Sequence, residues 1–274
     1  MHDYSRLRPV KRSRIRLAAG KRWFTAKRYA RWIFSRGAIA KEKSDKSLPC
    51  RIFAHATPLY RQLRDVELWM HTNKTVNLKL AAERLDGLLL KPGETFSYWR
   101  TIGKPTKRKG YADGMVLFYG SYKAGIGGGL CQMSNLIYWM ALHTPLRVTE
   151  RHRHSYDVFP DAGRTQPFGS GATCAYNYLD LQIHNPTADA YQLRVRVTDN
   201  ELVGEWRSTA EARRVYEVYE KDHRIESLPW GGYLRSNLIH RYVYGLEGEV
   251  LSDEYVTENR ALMMYSPLLE PTRE

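Results

Sequence analysis

Only three of the 274 residues are cysteine: Cys50, Cys131 and Cys174. So sparse and odd a set, with no short regular spacing, is no disulfide framework and fits a reducing compartment. No run reaches the ~18 apolar residues that a membrane-spanning helix needs. The charged start leads into no secretory-type apolar stretch, so the expected location is the cytoplasm or the inner face of the membrane. Acidic residues are scarce early on. Residues 1–46 hold 15 Lys and Arg against Asp3, Glu42 and Asp45, which is +12 of the formal +14. The other 228 residues are therefore nearly neutral, and any basic partner surface belongs to the N-terminal segment.

What is present divides the chain into a basic segment, 1–46, and a body, 47–274, with core motifs about 90–206 and a β-rich tail at 207–274. Lys21 to Ala40 reads as a basic amphipathic helix. Trp23, Ala26, Ala30, Ile33, Phe34 and Gly37 share one side, while Arg22, Arg28, Arg31 and Arg36 lie off it. Such a helix suits an anionic membrane surface, or docks on its own domain with solvated cations. Thr57 and Pro58 read as the start of a second helix through Leu59, Leu63, Val66 and Met70. A third is expected over about Val76 to Leu85. "LLLKPGETFSYW" reads as strand, Pro-Gly turn, strand. Leu130 to Leu142 is apolar almost all round and stops before Pro145, as a buried helix does. From Leu146 onward the chain reads as extended and mostly β. Hairpin turns are expected at Lys221-Asp222 and at Gly245 to Gly248. The fold class is α+β: N-terminal helices, a buried central helix bearing a cysteine, and an antiparallel β-rich C-terminal half.

Cys131 opens that central helix, directly after Gly127, Gly128 and Gly129. A helix N-terminus stabilises a thiolate, and glycine N–H groups can hold an oxyanion, as can Gln132. A base is then needed. His152 and His154, on a segment read as a strand, are the nearest candidates, with His154 preferred. Asp161 or Asp180 would orient the imidazole, and Arg151 or Arg153 would meet a substrate carboxylate. Cysteine on a buried helix, then histidine on a strand, then an acid is the order used by papain-like and transglutaminase-like cysteine hydrolases, at the level of fold analogy. The alternative is a small buried thiol packing a tight glycine turn. A zinc site from Cys131, His152, His154, Cys174 and His184 competes, without any paired Cys-x-x-Cys knot. No Gly-Lys-Ser/Thr follows the glycine loop, and no cofactor is expected. Nucleic-acid binding through residues 1–46 ranks last, because the body is near-neutral and carries no recognition motif.

Four segments, "PGETFSYWRTIGKPTKRKGY", "GIGGGLCQMSNLIYWMALHTPL", "ERHRHSYDVFPD" and "FGSGATCAYNYLDLQIHN", occur in this order. Together they resemble the VanW family, over about Leu48 to Trp206. The resemblance implies a bacterial accessory protein of glycopeptide resistance or of the cell envelope, with a cell-wall precursor or peptide as partner. It directs attention to Gly127–Gln132 and Glu150–Ser155. The expected chemistry is cysteine-dependent acyl transfer or hydrolysis on a peptidoglycan-type peptide. The rival is a non-enzymatic protein that binds a precursor or a partner.

Overall fold

A computed structural model describes residues 13–34, 39–60, 67–118, 120–158 and 165–267. Four helices and 13 strands lie among them, and the class is α+β. The first helix, α1, is Arg14–Phe34; it starts earlier than the periodicity indicates and does not reach Ala40, because Ile39 forms a β-bridge with Thr95. Strand β1, Cys50–Pro58, precedes α2, Leu68–Leu85. Short strands β2, Leu88–Leu90, and β3, Thr95–Ser97, flank the Pro-Gly turn. Helix α3, Tyr98–Ile102, leads to the hairpin β4, Asp113–Phe118, and β5, Ser121–Ile126. The central helix α4 is Cys131–Leu142. Then come β6, Arg147–Glu150; β7, Tyr156–Asp157; β8, Gln182–His184; β9, Tyr191–Val197; and β10, Glu201–Ser208. The tail is β11, Val215–Ser227; β12, Tyr233–Tyr244; and β13, Val250–Met263.

Four sheets result, ordered β1-β10-β9-β2, β11-β12-β13-β7, β3-β8-β6 and β4-β5. Two local readings are corrected. Thr57 and Pro58 end a strand rather than start a helix: β1 pairs antiparallel with β10 from Cys50↔Ser208 to Pro58↔Glu201. Ladder hydrogen bonds along the segment outweigh a local capping signal. Residues 61–66, which include Leu63 and Val66, lie outside the described residues. At Lys221-Asp222 the chain does not turn back. β11 runs on through a bulge between Lys221 and Arg224, with Asp222 left-handed at φ 52°. An αL residue serves a bulge as readily as a turn. The expected hairpin at Gly245 to Gly248 joins β12 to β13.

The core is assembled on α4, which buries Met133, Leu136, Ile137, Met140 and Leu142 against β1, β6 and β10. Each such side chain contributes about 1.5–3 kcal/mol of transfer free energy. The C-terminal sheet is tied to this core by polar contacts. Arg241 of β12 donates to the carbonyls of Leu142 at 2.9 Å and Thr144 at 3.0 Å. It thereby caps the end of α4, where carbonyls lack intrahelical donors and the helix dipole favours a cation. Arg235 donates to the buried Asp157 of β7.

Candidate functional site

The glycine loop before α4 is held from both sides. Asn77 of α2, fully buried, donates to the carbonyls of Ala112 and Gly128 and accepts from the Ala112 N–H. Gly128 lies against Gly114 of β4 so closely that a Cβ on it would stand 2.0 Å from the Gly114 carbonyl carbon. Gly127 and Gly129 take φ of 74° and 88°, where L side chains are strained. The glycines are thus required by backbone packing. Their N–H groups are also engaged: Gly127 donates to Ala112 O, Gly128 to Gly125 O and Gly129 to Met115 O. The Gln132 amide donates to Thr57 Oγ1 and Pro58 O. The donors expected for an oxyanion are therefore committed within the chain.

Beyond this loop opens a cavity of about 1950 Å³. Cys131, Gln132, Gly127 to Gly129, Arg151, Arg153 and His154 all line it, so the fold gathers most of the residues singled out by the sequence. Asp180 is fully buried behind the wall. It accepts from Ser97 Oγ at 2.6 Å, Trp99 N at 3.0 Å and Leu181 N at 3.0 Å. Asp161 lies outside the described residues. The segment Arg151–His154 is not paired in any sheet, contrary to the strand reading. It is held instead by side chains and by the Thr173 N–H, which donates to His152 O.

Cys131 is half-buried, with the sulfur deep in the wall and its thiol directed at the Cys174 carbonyl, 3.8 Å away. Burial pushes the thiol's pKa up and outweighs a lowering contribution from the Cys174 backbone. A helix N-terminus works to lower a thiol's pKa, but here the net direction is upward, with desolvation of the thiolate as its first cause. No hydrogen bond joins Cys131 to an imidazole among the described residues. His152 Nε2 instead donates to Glu150 Oε1 at 3.0 Å. His154 has its pKa brought down to about 4, first by burial and then by the Arg151 charge, so it is a neutral imidazole at pH 7. Among the described residues no group of three or more His, Cys, Asp or Glu is placed to hold a metal ion, and the zinc alternative has no support.

The charge around the cavity is one-sided. Ten Lys and Arg side chains line it, against Glu150 and Asp157. Those two carboxylates are already paired, with Arg28 and Arg235. Arg151, by contrast, has no carboxylate partner among the described residues. Its guanidinium donates to Gly171 O at 2.9 Å, to Gly169 O, to Thr257 Oγ1 and to Asn259 Oδ1, and it lies 5.1 Å from the Tyr138 ring centre. Among the described residues this half-buried charge meets neutral acceptors alone. Arg153, exposed on the cavity wall, makes no hydrogen bond among the described residues; Arg151 and Arg260 repel it and Glu258 attracts it. On the same wall the hydroxyls of Ser170 and Thr173 are buried without a hydrogen-bond partner among the described residues.

Sequence reasoning gave no site role to Arg28, Glu150, Ser170 or Thr173. Arg28 of α1 binds Glu150 with both guanidinium nitrogens, and its Nη1–Oε2 distance is 2.6 Å. Burial works to raise the Glu150 pKa, but the bonds from His152 and Arg28 outweigh it and bring it down to about 2. The acid directly preceding the Arg-His-Arg-His run was a signal for Glu150. Ser170 stands between two glycines in a motif quoted for the resemblance, without a role given to it.

The glycine loop, the cysteine-bearing helix and the cationic cavity lie largely within a segment that sequence similarity assigns to one family. The model of the family described as "VanW like protein" matches residues 73–207. The chain belongs to the VanW family. It is 32% identical over 242 residues to the vancomycin B-type resistance protein VanW of Enterococcus faecalis (strain ATCC 700802 / V583), covering 88% of each chain. It is also 28% identical over 113 residues to the uncharacterised protein YoaR of Bacillus subtilis (strain 168), covering 41% of this chain and 36% of that one. No solved structure matches.

Proposed function

We propose that this chain is an accessory protein of glycopeptide resistance or cell-envelope metabolism whose cavity binds an anionic peptide of cell-wall type. The Enterococcus relative, named for vancomycin resistance, supports the biological setting. One observation carries the chemistry. Arg151 is half-buried with no carboxylate partner among the described residues, and Arg153 lies exposed on the cavity wall with no hydrogen bond among them. A partly desolvated cation lacking an anion is unfavourable, and an anionic ligand relieves that. Arg153 is the residue that contacts a ligand carboxylate, Arg151 supplies fixed positive charge behind it, and Ser170 and Thr173 offer hydroxyls to the peptide. The test is calorimetric titration with a soluble peptidoglycan stem peptide and with its C-terminal amide. Arg153→Gln and the amide should each weaken binding roughly tenfold, as befits a charge-assisted bond. Equal affinity in all cases defeats this reading.

A second reading has Cys131 attack the same peptide, with His154 as base. It is favoured because both residues line one cavity and the imidazole is in its proton-accepting form. A thiol with a raised pKa, bonded to a carbonyl, argues for binding first. Mass spectrometry after incubation with a peptide thioester tests it: a covalent acyl adduct on Cys131, absent in His154→Gln, is the required result.

A further inference from the structure

Helix α1 meets the rest of the protein through a narrow set of contacts near its C-terminal end. Arg28 binds Glu150, Tyr29 shares a 2.6 Å hydrogen bond with Tyr176, and the Trp32 carbonyl accepts from Arg100 at 2.6 Å. Arg28 and Arg31, with Lys21 and Phe24, turn toward the cavity and form part of its wall. The opposite side of the helix is apolar and uncovered. Ile15 is 83% exposed, Trp23 68%, Ile33 66% and Phe34 90%. At ~100° per residue these four, with Ala19, Ala26 and Ala30 between them, occupy one arc of about 100°. Arg22 borders the arc on one side, and Arg16 and Lys27 on the other. The helix has seven Lys and Arg and no acidic residue. It is too charged to cross a membrane, and no described helix is apolar enough to do so.

We infer that the outer face of α1 is a docking surface for an anionic lipid bilayer, on which the helix lies in the plane of the interface. An apolar stripe containing Trp and Phe, flanked on both sides by long cationic side chains, matches the acyl boundary below and the phosphate layer beside it. Charge complementarity selects this occupant. A second copy would set the same cations against one another, whereas anionic headgroups neutralise them. Because the inner face of the same helix walls the cavity, docking brings the cavity to the lipid surface. The surface is independent of what the cavity binds.

The experiment is cosedimentation of the full chain with phosphatidylcholine vesicles, with and without phosphatidylglycerol, at rising salt, alongside analytical ultracentrifugation without lipid. The variant Trp23→Asp/Ile33→Asp leaves every docking contact of α1 in place, and its circular dichroism and melting curve check the fold. The expected result is binding to phosphatidylglycerol vesicles that weakens with salt and falls roughly tenfold or more in the variant. Three outcomes overturn the inference. One is no binding by the wild-type chain. Another is equal binding by the folded variant, which would assign the affinity to charge alone. The third is a lipid-free dimer that the variant dissociates while vesicle binding is unchanged, which would assign the face to a second copy. Stem-peptide titration without vesicles reads the cavity separately, so failure of either proposal is distinguishable from failure of the other.

Discussion

Arg28 and Glu150, 122 positions apart, form a two-pronged ion pair in which the arginine is 6% and the glutamate 14% exposed. Asp180 stands 3.9 Å from the same guanidinium, and Arg31 3.7 Å from the same carboxylate. This pair ties α1 to the body, alongside Trp32 packed against the core. Removing one member of a buried pair leaves the other charged and unpartnered, which is worse than removing both.

Arg28→Met should therefore destabilise the docked helix by about 2–4 kcal/mol, and the double variant Arg28→Met/Glu150→Gln by less than that. Hydrogen exchange along α1, with a denaturant series for the body, separates local undocking from global loss. A double variant as damaged as the sum of both singles would show that the pair is not coupled.

Stability should fall with pH in a window set by two buried imidazoles. His143 and His154 each have their pKa brought from 6.5 to about 4, chiefly by burial. The unfolded chain thus takes up these protons first. Stability is full above about pH 6.5, is lost as pH falls from there to about 4, and then levels off for these groups. The loss is on the order of 1–3 kcal/mol per imidazole. Urea midpoints for wild type and His154→Gln between pH 7 and pH 4 check the sign. The variant's dependence should be shallower, and an unchanged slope contradicts a buried neutral His154.

Asn77 is expected to be the most sensitive polar position of the glycine loop. Its amide makes three hydrogen bonds, to both groups of Ala112 and to Gly128 O. Asn77→Leu strands these buried backbone groups and should cost about 2–4 kcal/mol. Thermal melts measure the cost. Asn77→Asp should be harmful too, because a carboxylate cannot donate to the two carbonyls.

The fold was legible where local pattern and tertiary context agree. The apolar run ending before Pro145 became α4, and the glycines at 245 and 248 mark the β12–β13 turn. It was illegible where a local signal competes with sheet pairing, as at Thr57-Pro58, or serves two structures, as at Asp222. The site divides similarly. Cys131 and the Arg-His run announce themselves by composition. The partnership of Arg28 with Glu150 has no periodic trace, because it joins a helix to a strand end more than a hundred residues away. The direction of the Cys131 pKa was misread from a helix N-terminus alone, since sequence does not report how deeply a sulfur is covered.

Thiol labelling connects this last point to function. Cys131 donates toward the Cys174 carbonyl, and burial raises its pKa above the usual thiol value of 9.0. Only the thiolate alkylates, so the rate with a small neutral reagent such as iodoacetamide follows the thiolate fraction. Cys131 should react slowly at pH 7 and accelerate without a plateau up to and beyond pH 9, as peptide mapping across a pH series would show. A stem peptide bound beside Arg153 should slow this labelling, because both residues line one cavity, while leaving Cys50 on β1 unaffected. A reaction that instead levels off near neutral pH would mean an activated thiolate, and His154→Gln should then shift that midpoint upward. This outcome would move the assignment from peptide binding to thiol catalysis. Labelling unaffected by saturating peptide in both wild type and Arg153→Gln would place the ligand outside the cavity altogether.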